Sequence, residues 1–250
     1  GWKGPFLRQT RRRTGKHAPS TVIGRLAATL TAEGLPKAIA FLMTTGGLTA
    51  LNKIAAAENE ARITRGEKPE VRPVNGGVYL LKTVLKAAAA STSGVRVTKS
   101  LAPTACGIGM PGGPAVVAMM ARMANKINWS ISKEDAKNGF NALARQALFD
   151  AVGDVWPEAA RIFNTFYGMA SPVLYRYQLA DGTSAISVMW SMEGMRTRMG
   201  CVLGSLGFNI TIQKRLYGPL GEEYPNNPTC ALTDDRISAI PTPQQGASLA

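Results

Sequence analysis

The chain has 250 residues, of which 45% are hydrophobic and 18% are charged, so it has the composition of a folded globular protein and not of a disordered tail. Lysine and arginine outnumber aspartate and glutamate by 29 to 16, and a net charge of +13 makes RNA, DNA or an anionic membrane surface the expected partners. Three cysteines and a single histidine exclude a disulfide framework and most histidine-based catalysis, so any chemistry must depend on carboxylates. No apolar run reaches the length of about eighteen residues that a membrane-spanning helix needs.

The positive charge is concentrated at the start of the chain, because residues 1–53 carry nine basic side chains and one acid, Glu33. Residues 1–20 have no apolar pattern and are predicted to form an extended basic arm that orders on a phosphate backbone. An organelle transit peptide and a solvated tail remain alternatives, and a mitochondrial or other ribonucleoprotein-associated location is compatible with the arm. The predicted RNA contacts in the arm are Arg8, Arg11, Arg12, Arg13 and Lys16.

The next part of the chain is predicted to be mainly helical. Residues 21–47 form a helical leader in which Val22, Ile23, Leu26 and Leu30 follow helical spacing. A helix is also predicted over 48–61, and residues 71–81 supply a strand and the start of another helix. A Gly/Pro-rich segment, 106–114, precedes a helix whose methionines are expected to fill the core; these are Met119, Met120 and Met123.

In the second half, strands and helices alternate. The pattern predicts a strand over 129–135, a helix that begins after Pro157, and a β-hairpin over 172–190 with its turn at Asp181 and Gly182. A glycine-rich turn at 200–207 leads into a helix that runs through Ile212. Two short strands, 229–232 and 237–240, flank an acidic turn. The interleaved pattern therefore predicts an α+β or α/β fold, of which we take α+β.

The acids at the ends of these strands are the candidate chemical groups. Asp135 ends one predicted strand, and Asp234 and Asp235 stand together between two others. Adjacent carboxylates repel each other unless a cation neutralises them, and Mg²⁺ prefers hard oxygen ligands that it shares with phosphates. An Asp-Asp pair alone is weak support, because turns are commonly rich in aspartate.

The order of the motifs resembles the reverse transcriptases of non-LTR retrotransposons. The segment 135–141 reads DAKNGFN, close to the family's Asp-x-x-Asn-Ala-Phe-Asn; residues 193–194 and 199–205 read EG and MGCVLGS; and residues 232–235 read LTDD. Upstream, residues 48–53 (LTALNK) and 71–74 (VRPV) are similar to two further segments of that family. The resemblance extends over residues 48–240.

This resemblance implies a right-hand polymerase fold, with a fingers-like region over 48–128 and a palm-like region over 129–240, built on an antiparallel sheet with packed helices. We expect the thumb to be absent and residues 241–250 to form a C-terminal tail. Asp135 and Asp234 would hold two Mg²⁺ ions, with Asp235 as an auxiliary carboxylate. Nucleotide binding is implied for Lys53 and Arg72 on the triphosphate, Phe140 under the sugar and Gly200 beside the incoming base pair.

Four departures from the family weigh against catalysis. Met199 and Ala105 stand where the family carries glutamine, and Gly139 stands where it carries alanine; only fifteen residues follow Asp235. We therefore predict an RNA-binding structural component of a ribonucleoprotein such as an organelle ribosome, with other protein chains covering the incomplete palm and no membrane partner. The alternative is an RNA-directed DNA polymerase that uses Asp135, Asp234 and Asp235 with Mg²⁺. An unrelated soluble α/β protein is the third possibility.

Overall fold

The computed structural model describes residues 36–76, 79–136, 138–179, 181–191, 197 and 200–241. The basic arm, most of the predicted leader and the tail beyond residue 241 lie outside these residues, and so do Met199 and the predicted RNA contacts of the arm. Helices and strands are interleaved along the chain, which confirms the expectation of a mixed α and β fold. None of the described helices is long and apolar enough to cross a membrane.

The strands form two sheets. They are β1 (Gly46–Asn52), β2 (Val71–Gly76), β3 (Ser130–Asp135), β4 (Pro172–Gln178), β5 (Ser184–Trp190), β6 (Thr229–Leu232) and β7 (Asp235–Ile240). A four-stranded mixed sheet has the order β2-β1-β4-β5, in which only β1 and β4 are parallel. A three-stranded antiparallel sheet has the order β3-β7-β6. The four-stranded sheet takes strands from both predicted regions, so the boundary at residue 128 does not separate the two sheets.

The helices alternate with these strands along the chain. They are α1 (Lys37–Thr44), α2 (Ala56–Thr64), α3 (Tyr79–Ala89), α4 (Thr92–Ser100), α5 (Gly113–Lys126), α6 (Gly139–Ala142), α7 (Arg145–Val155), α8 (Ala160–Tyr167), α9 (Val202–Ile212) and α10 (Gly218–Glu223). A short 3₁₀ turn, Pro157–Ala159, precedes α8, and a π-helical segment, Gln213–Tyr217, joins α9 to α10.

The main hydrophobic core forms around α9, whose residues are buried over most of the helix circumference. Its fully buried neighbours include Leu148 in α7, Trp156 directly after the last residue of α7, and Phe163 in α8. The backbone of α9 approaches α7 and α8 closely at Gly207, where a Cβ atom would lie 2.6 Å from both Leu148 Cδ1 and Phe163 Cε1. Glycine is therefore required there by packing.

The helix predicted over 48–61 is wrong in its first part, because residues 46–52 form strand β1, whereas helix α2, which begins at Ala56, confirms its last part. β1 pairs with β2 through residues 47–52 and with β4 through residues 46–48. The backbone hydrogen bonds of two neighbouring strands outweigh the weak local helical pattern, as tertiary context often does. The strand and helix predicted over 71–81 and the hairpin over 172–190 are confirmed.

The expectation that the methionines of α5 fill the core is only partly correct. Met120 packs against a small cluster of Cys106, Val117 and Cys230, whereas Met119 and Met123 are 57% and 60% exposed. Helix α5 covers one face of the three-stranded sheet and buries only the stripe that faces the sheet. Its apolar residues outnumber the positions that this contact can bury, so the remaining ones face solvent.

Candidate nucleotidyl-transfer site

The three-stranded sheet brings the candidate acids together at one end. In the antiparallel register of β3 and β7, Asp135 lies directly opposite Asp235, and Leu232 of β6 pairs with the other side of Asp235. The amide N–H of Ala136 donates to the carbonyl of Asp234 at 3.1 Å, so the ladder continues to the turn. Acids that are about a hundred positions apart in the sequence therefore meet at neighbouring backbone positions.

The turn that carries Asp234 is a two-residue hairpin loop, Thr233-Asp234, with a strained backbone. Thr233 has a φ of 62°, a left-handed conformation that β-branched residues rarely adopt. Its Oγ1 lies 2.9 Å from Asp234 Oδ1 and 2.6 Å from the carbonyl oxygen of Leu232, and its proton is shared between these two acceptors. Backbone strain of this kind concentrates at functional sites, where the surrounding structure enforces it.

A close approach of two backbones fixes this turn from one side. The amide of Gly107 donates to the carbonyl of Ala231 at 3.2 Å, and a Cβ atom on Gly107 would lie 3.1 Å from the Thr233 nitrogen and 3.2 Å from Leu232 Cα. The segment that contains Ala105 forms a bridge to Ala231, which covers the outer edge of β6. Among the described residues, the outer edge of β3 has no strand beside it.

An ion pair between a buried arginine and a partly exposed glutamate lies on the opposite face of the sheet from the acids. Arg236, which is 5% exposed, donates to Glu134 at 2.9 Å, and these two residues are opposite each other in the register next to Asp135 and Asp235. Because side chains alternate along a strand, this pair and the aspartates lie on different faces. Burial raises the pKa of Tyr217, while the Arg236 charge lowers it and the charges of Glu134 and Asp234 raise it. Tyr217 therefore lies within the electrostatic reach of this cluster.

The aromatic residue that follows the first acid is buried. Phe140 is 7% exposed and stacks on Phe208 with ring centroids 4.7 Å apart. Thr197 donates to the carbonyl of Phe140 from both its amide and its hydroxyl. A Cβ atom on Gly139 would lie 3.3 Å from Phe208 and 3.4 Å from Asp234 Cβ, so α6 packs directly against the acidic turn. The predicted contact of Phe140 with a nucleotide sugar stays a prediction.

The predicted triphosphate ligands lie on the other sheet. Leu51 is opposite Arg72 in the register, and the amide of Lys53 donates to the carbonyl of Glu70 at 2.9 Å, so Lys53 and Arg72 are near neighbours. Both side chains are exposed, at the end of the β1–β2 ribbon that extends past the pairing of β1 with β4. Gly200 has a φ of 93°, a conformation that favours glycine.

Sequence reasoning missed Arg145, the first residue of α7. Its guanidinium donates to the carbonyl oxygens of Tyr167 and Met169 at 2.7 and 3.1 Å and to Ser191 Oγ at 3.1 Å. It therefore joins α7 to the loop before β4 and to the end of β5. The sequence carries no signal for this role, because the acceptors are mainly backbone atoms of distant segments.

The chemistry of the acids fits Mg²⁺. Carboxylate oxygens are the hard ligands that Mg²⁺ prefers, and it is commonly held by one or two carboxylates together with substrate phosphates and water. Within the part of the chain that the structure describes, no group of three His, Cys, Asp or Glu side chains is arranged to hold an ion by itself. Asp135, Asp234 and Asp235 therefore do not form a metal site by themselves in this structure, and an ion bound there would need further oxygen ligands such as phosphates and water.

Comparison with known proteins supports the fold. No protein-family model matches the chain, and a search of curated protein sequences finds no match. One similar solved structure is a Candida tropicalis telomerase truncated from its C-terminal domain, with a TM-score of 0.51, 13% identity and coverage of 83% of this chain and 46% of that one. A second is a Candida albicans telomerase in complex with a fragment of telomeric RNA, with a TM-score of 0.52, 10% identity and coverage of 93% and 44%. A third is the RNA-dependent RNA polymerase of bacteriophage phi12, with a TM-score of 0.53, 11% identity and coverage of 92% and 44%.

These similarities define a polymerase-like fold, related at a coarse level to that of reverse transcriptases. The chain spans less than half of the length of each of these three proteins. At identities of 10–13% the likeness shows the fold alone, and the activity is argued from the residues.

Proposed function

We propose that this chain is a core of an RNA-directed DNA polymerase of the non-LTR retrotransposon kind, with its nucleotidyl-transfer site at the joined ends of β3 and the β6–β7 hairpin. The observation that carries the proposal is the direct pairing of Asp135 with Asp235, next to Asp234 at a strained turn. Like charges at directly opposite positions of an antiparallel pair repel each other unless a cation neutralises them, so this register favours a role for the acids in binding a cation.

In this proposal the three-stranded sheet corresponds to the palm and the β1–β2 ribbon to the fingers. Asp135 and Asp234 would hold Mg²⁺, which lowers the pKa of a primer hydroxyl and neutralises the charge of a transferring phosphoryl group. Asp235 adds a carboxylate beside them. Lys53 and Arg72 bind the triphosphate from the ribbon, where the bidentate guanidinium matches phosphate oxygens.

The protein's own contribution is positioning. The ladder between β3 and β7 fixes the separation of Asp135 and Asp235, while α6 and the Gly107 segment hold the turn that carries Asp234. Pre-positioned groups supply on the order of 7–11 kcal/mol to reactions between two bound partners. The excess of basic residues, +13 over the chain, attracts the RNA template.

A second candidate is an RNA-binding structural component of a ribonucleoprotein, such as an organelle ribosome in a mitochondrial setting. Two observations favour it: Phe140 is buried against Phe208, and Ala105, which stands at the family's glutamine position, contributes a backbone bridge to Ala231. In this candidate the basic surface binds RNA, and the acids have lost their chemical role. Other protein chains would then cover the free edge of β3.

Primer extension by the full chain separates the two candidates. With a poly(A) template, an oligo(dT) primer, dTTP and Mg²⁺, we expect extension that Asp234→Asn abolishes and that the matched variant Glu222→Gln, on exposed α10, leaves unchanged. RNA affinity should fall steeply with salt and be equal in all three proteins.

Three results would point elsewhere. Salt-sensitive RNA binding without extension, together with co-purification with ribosomal particles, would favour the structural candidate. Extension that persists in Asp234→Asn would remove the acids from the mechanism. A chain with no affinity for RNA would contradict both candidates.

A further inference from the structure

The β4–β5 hairpin presents an apolar face to solvent. In its register, Leu174 is opposite Val188 and Arg176 is opposite Ile186, and these residues share one face with Trp190. We call the set Leu174, Ile186, Val188 and Trp190 the apolar sheet face. All four side chains are exposed, Ile186 to 62%, and β5 is an edge strand of the four-stranded sheet. Contiguous exposed apolar surface of this kind marks an interaction site.

One end of the apolar sheet face adjoins the first described helix. The ring of Phe41 in α1 lies 6.2 Å from the ring of Trp190, and Ile39 and Leu42 on the same helix are also exposed. Helix α1 begins at Lys37, with Pro36 before it in an extended conformation (ψ 138°). Residues 21–35 therefore join the described fold about one helical turn from Phe41, at the edge of the exposed apolar surface.

The sequence of residues 21–35 carries a matching apolar stripe. Val22, Ile23, Leu26 and Leu30 recur at helical spacing, and Arg25 and Glu33 are the only charged residues in the segment. In a helix the stripe from residue 22 to residue 30 rises about 12 Å, and the strand from Ile186 to Trp190 extends about 13 Å. Gly34 and Pro36 disfavour a helix that continues unbroken into α1, so the chain can reverse direction there.

We propose that residues 21–35 fold back as an amphipathic helix on the apolar sheet face of the same chain. A tether this short gives the segment an effective concentration in the millimolar range at this surface, more than a second copy reaches in dilute solution. The segment has no net charge, so it meets no repulsion from Arg176 beside the face. This surface is separate from the acids, and the proposal does not depend on catalysis.

Cysteine crosslinking of the full chain tests the proposal. In a Cys201→Ser background, mild oxidation of Leu26→Cys/Val188→Cys should form an intramolecular disulfide at least tenfold faster than two matched controls. Leu26→Cys/Ser187→Cys places the second thiol on the opposite face of β5, and Arg25→Cys/Val188→Cys moves the first thiol off the apolar stripe. Non-reducing electrophoresis and peptide mass spectrometry identify the bond.

Equal rates in all three proteins would indicate random encounter and would overturn the proposal. A crosslinked dimer would show instead that the face joins two copies of this chain. Hydrogen exchange supplies a second measurement without cysteines: Val188→Lys should raise amide exchange in residues 22–30 at least tenfold, and Ser187→Lys should not. Alkylation of the cysteine introduced at position 188 gives a third measurement. If this cysteine is protected only when a 20-nucleotide poly(A) RNA is added, nucleic acid occupies the face in place of residues 21–35 and the proposal is wrong.

Discussion

Arg236 donates to Glu134 across the same two strands that carry Asp135 and Asp235, and it does so from the opposite face of the sheet. Four carboxylates, including Asp234, thus stand at one end of this sheet, and Arg236 is the cation that contacts one of them. The ion pair fixes the register of β3 on β7 next to the position where the aspartates meet. Any change to it should therefore affect both stability and the separation of the acids.

We expect Arg236→Met to lower the free energy of unfolding by about 1–3 kcal/mol, because Glu134 loses its cationic partner and remains close to other carboxylates. Glu134 keeps partial access to water, which holds the loss below that of a fully buried pair. Glu134→Gln should cost less, and the double variant should recover part of the loss of Arg236→Met. Urea unfolding of the four proteins gives the coupling energy, and additive losses would contradict the pairing.

Asp135→Asn should stabilise the protein in the absence of divalent ions. Like charges directly opposite in an antiparallel pair destabilise it by about 0.2–1 kcal/mol, and the amide removes one of them. Added Mg²⁺ should raise the Tm of the unmodified chain and have little effect on the variant. Thermal unfolding in EDTA and in Mg²⁺ measures both effects, with Glu222→Gln as the control. A variant less stable than the parent in EDTA would show that the acids do not repel each other.

Two glycines in helices should respond to alanine with opposite signs. At Gly207 of α9 the new methyl group meets Leu148 and Phe163 at 2.6 Å, so Gly207→Ala should destabilise by about 1–3 kcal/mol. At Gly153 of α7 no atom lies within 4 Å of the place that a methyl group would take, so Gly153→Ala should stabilise by about 0.5–1 kcal/mol. Denaturant unfolding of both variants checks the contrast; losses of equal size would contradict the packing around α9.

Cys230 should resist alkylation in the folded protein. Burial and a contact with Cys106 raise its pKa to about 12, so at pH 8 only about one thiol in ten thousand is a thiolate. The folded state holds this proton more tightly than the unfolded chain, so stability from this group is present below about pH 9 and is lost as the pH rises toward 12. Iodoacetamide with mass spectrometry should label the half-buried Cys201 first. Rapid labelling of Cys230 in native protein would refute this environment.

The sequence alone located the acidic turn and the strands that hold it. Strand propensity and a tight turn predicted the hairpin of β6 and β7, and similar signals predicted β4 and β5. These features depend on residues within a few positions of each other, and local sequence patterns predict secondary structure over that range. The glycine-rich turn predicted over 200–207 is correct only at its start, because α9 already begins at Val202 and includes Gly204 and Gly207.

Contacts between distant segments decided the rest. Residues 46–52 form a strand because β2 pairs with residues 47–52 and β4 with residues 46–48. Met119 and Met123 stay exposed because the three-stranded sheet covers only one stripe of α5. The role of Arg145 depends on carbonyl groups some twenty positions and more away. The amino-acid sequence thus determined which carboxylates are available, and the register of β3 on β7 decided that they meet, because strand pairing is a non-local choice that no short pattern contains.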